Sequence, residues 1–174
     1  MLPAVVLGVG LGAFFDGIVL HQLLQWHHMA SAVDPPTTLD ALQRNTLADG
    51  LFHAVAWLAT GAGVLLLWRA VGIARGRPAW GVLVGGLLVG FAAFNLVEGV
   101  VNHLLLGIHH VREGDDAFLY DAGFLLLSAL IFVVGSAVLR GGIGSASGRP
   151  PVVVRRFAPG DEGSISGRGG AGSS

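Results

Sequence analysis

Two short stretches carry most of the residues from which this chain could build chemistry. DGIVLHQLLQWHH (residues 16–28) and EGVVNHLLLGIHH (residues 98–110) align without a gap at a constant offset of 82. Acid falls on acid (Asp16, Glu98), histidine on histidine (His21, His103), and the pair His27-His28 on His109-His110. Gly17 matches Gly99, and the remaining positions are mostly apolar. Shared leucines and valines are expected of any two apolar helices, whereas shared acid, glycine and histidine positions in one order point to a duplication. Asp49 and His53, at i and i+4, and Asp121 add further ionisable groups inside apolar segments.

Ionisable side chains in hydrocarbon cost several kcal/mol each unless they are paired, protonated or hydrated. A convergence of imidazoles and carboxylates suits zinc, iron, manganese or copper(II). The chain has no cysteine, which excludes thiolate ligands, disulfides and a cysteine nucleophile.

On an ideal helix turning about 100° per residue, Asp16 and His27 share one stripe while His21 and His28 share another. His21, His53, His103 and Asp121 fall at a common depth, about one to two turns inside the outer interface, and together form the expected transition-metal site. Asp16 and Glu98 lie beneath it, His28 and His110 at its mouth, and Asp49 near the outer interface. Catalytic residues and substrate stay open, and the role is metal handling or membrane redox chemistry. Three other readings compete. His21 and His103, at equal depth on matching helices, suit the axial positions of a single b-type haem. The acids and histidines suit a proton-coupled transporter or channel, which with four spans needs a homodimer. The same groups can also simply pair within a structural membrane protein.

The elements that must position these residues are apolar helices. Of 174 residues, 53% are hydrophobic and only 12% charged, about half the charged share of a soluble domain; mean hydropathy is +0.70. Four segments, roughly 4–29, 50–73, 81–108 and 117–139, are long enough to span a bilayer. The expected fold is an all-α membrane protein: a four-transmembrane-helix bundle of two tandem two-helix repeats, halves 4–73 and 81–139 of a domain covering 1–140. Helices one and three then run parallel and bring their motifs face to face. Gly8/Gly12, Gly81/Gly85 and Gly86/Gly90 have the spacing of close helix crossings. TTLDALQRN is expected to form a short surface helix capped by Thr38. Residues 141–174, rich in Gly, Ser, Pro and Arg, are expected to be a disordered tail.

Arginines concentrate in the second connection (Arg69, Arg75, Arg77) and after the last span (Arg140, Arg149, Arg155, Arg156). The positive-inside rule then places both termini in the cytoplasm, in the cytoplasmic membrane, and the histidine-rich span ends outside. Ala30-Ser31-Ala32 resembles a signal-peptidase site, but no positive residue precedes the apolar run and the run itself carries Asp16 and His21, so it is expected to persist as a span. A net charge of −1 gives no basis for nucleic-acid binding.

GAFFDGIVLHQLLQWHHM, DGLFHAVAW and NLVEGVVNHLLLGIHHV together resemble an uncharacterised prokaryotic integral membrane family, domain of unknown function 2243, over roughly residues 4–140. The resemblance implies a small multi-pass protein of the cell envelope and carries no residue roles with it.

Overall fold

The computed structural model describes residues 1–74 and 79–147. Arg75, Arg77, Pro78 and the chain beyond Ser147 lie outside the described residues, as does most of the expected tail. The described chain is helical and contains no strand. Helix α1 (Leu2–Phe15) continues into a π-helical segment, Asp16–Leu23; α3 (Trp80–Glu98) continues in the same way into Gly99–Leu105. Helices α2 (Leu39–Ala74) and α4 (Ala117–Ser147) are uninterrupted. All four are long and apolar enough to cross a membrane.

The helices pack in a row. α2 lies on α1, α1 on α3 and α3 on α4; among the described residues the backbones of α2 and α3 do not pack together, and Phe52 reaches Phe94 across the gap, ring centroids 6.1 Å apart. The two motif-bearing helices are therefore central, and the flanking helices cover their outer sides. Small residues set the α1–α3 crossing: a Cβ on Gly8 would strike the Leu87 carbonyl oxygen, and one on Gly90 the Val5 carbonyl oxygen. Backbone approach of this kind substitutes for the hydrophobic drive that lipid removes.

The second span differs from the expected one at its start. Residues 39–48 are the first turns of α2 rather than a separate surface helix. Thr38 does cap it, its Oγ1 accepting from the Ala41 amide at 3.2 Å. Asp34 holds the connection against α2 through two bonds from Arg44 (2.8 and 3.0 Å), and that guanidinium keeps the Asp34 carboxyl below the usual carboxylate range. At the other end, α4 continues past Gly141 to Ser147, into the stretch expected to be tail. Gly142 lies directly on Gly81 of α3, where a Cβ would have no room, so helix packing holds these glycines in place.

Candidate metal centre

Both central helices widen where their polar residues begin. The Leu24 amide bonds to the Val19 carbonyl at 2.9 Å, and the Leu106 amide to Val101 at 2.8 Å, i→i−5 bonds that mark π geometry. The chain then breaks from the axis at matching positions. Gln25 has φ 50° and Gly107 φ 57°, in the left-handed region that stops a helix. Beyond the break, each half runs into an irregular loop. Each loop folds back and returns the first histidine of its pair toward the carboxylate where the π segment began.

Two buried triads result: Asp16 with His21 and His27, and Glu98 with His103 and His109. Each offers three ligand atoms within 4.8 Å of one another. In the first, His21 Nε2 stands 3.2 Å from Asp16 Oδ2, and His27 Nε2 4.0 Å from Asp16 Oδ1. In the second, Glu98 Oε1 lies 3.0 Å from His103 Nε2 and 2.7 Å from His109 Nε2. The triads abut: the His27 and His109 rings stack 4.6 Å apart, 8° from parallel. His21 packs against His27 at 4.3 Å and His103 against His109 at 5.0 Å.

Every imidazole in the triads is oriented from behind. His21 Nδ1 meets Asp49 Oδ1 at 2.8 Å, and His103 Nδ1 lies 3.0 Å from Asp121 Oδ1. His27 Nδ1 donates to the Val111 carbonyl and His109 Nδ1 to the Met29 carbonyl, both at 2.9 Å. A carbonyl only accepts, so the Nδ1 of His27 and His109 carries the proton, and in the neutral ring Nε2 presents a lone pair. Lone pairs facing carboxylates repel unless a cation, a proton or a metal ion, lies between them. Asp16 Oδ1, His21 Nε2, His27 Nε2, Glu98 Oε2 and both ring nitrogens of His103 are buried without a hydrogen-bond partner, Asp121 standing 3.0 Å from His103 Nδ1 as a charged neighbour. Such groups are rare in native proteins and call for a reason.

Charge sharpens the point. Asp16, Asp49, Glu98 and Asp121 are buried, none more than 6% exposed. Among the described residues, no lysine or arginine forms an ion pair with any of them; their partners are histidines.

A family model described as Predicted membrane protein (DUF2243) matches residues 3–142. The chain belongs to this family. Neither the curated proteins nor the solved structures contain a match to it. In this family member, the sequence-derived candidates fall into three groups. Asp16, His21, Glu98 and His103 converge at the centre. Asp49 and Asp121 stand behind the imidazoles rather than beside Nε2, each also accepting from a backbone amide, Met29 and Val111. His28 and His110 lie at the outer edge, each with Nδ1 2.7 Å from the second oxygen of those same carboxylates. They border an open cleft of about 730 Å³ that also reaches His27, Gln25 and Glu113.

His53 stands apart from the others. Its Nδ1 bonds to the Asp49 carbonyl of its own helix at 2.7 Å, and its ring sits over Gly17 and beside Phe14, outside both triads. The corresponding position against Gly99 holds Leu125, so His53 has no counterpart in the other half. Gly17 and Gly99 receive these side chains rather than a neighbouring backbone.

Residue types and spacing did not single out His27 and His109. Rotation at 100° per residue chooses His28 and His110, because it assumes a straight α-helix through residue 28. The gapless double-histidine match does identify each pair as a unit. Which member turns inward depends on the π segment and the left-handed residue after it.

Proposed function

We propose that this integral membrane protein holds two divalent transition-metal ions, one on Asp16, His21 and His27 and one on Glu98, His103 and His109. The observation that carries this reading is that four imidazoles have Nδ1 set against a carboxylate or a carbonyl while Nε2 is turned to a carboxylate. Ligating histidines are oriented in this way, through the nitrogen that does not bind the metal. Four buried carboxylates also match the charge of two divalent ions, and a buried charge without a partner is not tolerated. The matching halves fit a duplicated two-helix unit whose copies each supply one triad.

Two imidazoles and one carboxylate leave coordination positions free, the pattern of zinc hydrolytic sites and non-haem iron sites rather than of closed structural zinc. The protein thus suits metal-dependent chemistry or metal transfer at the outer membrane face, and the cleft touching His27 supplies access. The arginine distribution supports placing that face outside, with both termini in the cytoplasm. A haem between His21 and His103 is disfavoured by the stacked His27 and His109 rings, which occupy the space between them. A proton relay has one specific point in its favour: both ring nitrogens of His21 lie near carboxylates, which also suits an imidazolium.

X-ray absorption at the edge of the bound metal separates these readings. The proposal expects a first shell of nitrogen and oxygen at about 2.0–2.2 Å with imidazole scattering behind it. A porphyrin signature, or a shell without imidazole, contradicts it.

A further inference from the structure

The loops that close the two triads are braced against each other rather than against their own halves. His27, a member of the first triad, is held by the carbonyl of Val111; His109, a member of the second, is held by the carbonyl of Met29. The same two residues are gripped through their amides as well. The Met29 amide donates to Asp49 Oδ1 at 2.8 Å and the Val111 amide to Asp121 Oδ1 at 2.9 Å. Asp49 bonds to His21 of the first triad, while Asp121 lies 3.0 Å from Nδ1 of His103 in the second. One continuous path therefore runs from His21 through Asp49 and the amide and carbonyl of Met29 to His109. Its mirror runs from His103 through Asp121 and the amide and carbonyl of Val111 to His27. Further bonds tie loop to loop: Ala32 amide to Ile108 carbonyl (3.1 Å), Glu113 amide to Trp26 carbonyl (3.3 Å) and Ser31 hydroxyl to Glu113 Oε1 (2.8 Å).

From this crossed bracing we infer that the two triads load their ions with positive cooperativity, an inference that rests on the two-ion reading above. Neither loop contains a regular element that would hold it alone. Binding at one triad immobilises His27 or His109, and through it Val111 or Met29 and the carboxylate that the amide of that residue holds behind the other triad. The ordering cost of both loops thus falls mainly on the first ion, and the second meets a preformed site. Repulsion between the ions works in the opposite direction. It is limited because each half supplies two carboxylates, one in the triad and one behind it, against one divalent charge.

The test is a titration of the full-length, chelator-stripped protein in detergent with Zn²⁺ at fixed pH, read by native mass spectrometry. At one equivalent, equal independent sites put about half of the molecules in the singly loaded state. Cooperative loading predicts that apo and doubly loaded forms dominate, with the singly loaded form far below half. In a Glu98→Gln/His103→Ala variant, the intact first triad should bind Zn²⁺ at least about tenfold more weakly than the wild type does, a coupling of about 1.4 kcal/mol. A singly loaded share at or above about half in the wild type overturns the coupling but leaves the metal reading standing. If no zinc binds at all, both fall. The wild-type titration decides alone if the variant does not fold.

Discussion

His27 and His109 stack ring on ring, 4.6 Å apart and 8° from parallel, at the contact between the two halves. Each is also the only triad member carried on a loop rather than on a helix. The pair is thus both the seam between the triads and the part of each triad that folding must bring in from outside the helices. His28 and His110, one residue further on, line the cleft and bond to Asp49 and Asp121 from the outer side.

That difference predicts opposite outcomes for neighbouring substitutions. His27→Ala or His109→Ala should lower metal content by at least one ion per chain, measured by elemental analysis after purification. A His28→Ala/His110→Ala variant should keep both ions at equilibrium and load them about tenfold more slowly in stopped-flow mixing, because it removes imidazoles from the mouth and none from a triad. Equal metal loss in both classes of variant would mean that the triads are wrongly drawn.

Asp49 and Asp121 touch no Nε2 in either triad, yet each orients an inner imidazole, an outer imidazole and a loop amide. Asp49→Asn and Asp121→Asn should therefore weaken metal binding by about 10–100-fold without abolishing it, the range known for carboxylates behind ligating histidines. Competition with a chelator of known affinity measures the change. Wild-type affinity in both variants would show that the imidazoles do not depend on these carboxylates.

The central crossing makes a separate prediction about stability. Gly90→Ala places a methyl against the Val5 carbonyl and should cost about 1–3 kcal/mol through overpacking. Gly61→Ala, where no atom lies within 4 Å, should be neutral or stabilise α2 by up to about 1 kcal/mol. Thermal unfolding in detergent compares the two. Similar midpoints would argue against the α1–α3 contact.

The sequence made the four apolar helices and the polar residues within them legible, because length, hydropathy and the gapless match of two motifs are local properties. It also made Asp16, His21, Glu98 and His103 legible as a set, since both motifs keep the same acid-to-histidine spacing. The arrangement beyond the first turn of each motif was not legible. His53 looked equivalent to the other histidines from depth alone, but it bonds to its own helix and has Leu125 as its counterpart. His27 and His109 were missed because an ideal helix sets them on the stripe of Asp16 and Glu98, away from His21 and His103, whereas the π segment and the left-handed residue bring the two stripes together. Gly107 hints at that break in the second motif; Gln25, at the aligned position of the first, hides it. The crossed bonds from Met29 and Val111 use backbone atoms, which carry no signature in residue type.

The most direct test of the central claim is the metal content of the intact chain, purified without a nickel column or histidine tag and measured by elemental mass spectrometry. The two-triad account predicts close to two transition-metal ions per chain, both lost in a His21→Ala/His103→Ala variant. Protein that carries no metal above background, and takes up none when Zn²⁺, Fe²⁺, Mn²⁺ or Cu²⁺ is supplied, would contradict it and leave protonated histidines as the partners of the four buried carboxylates.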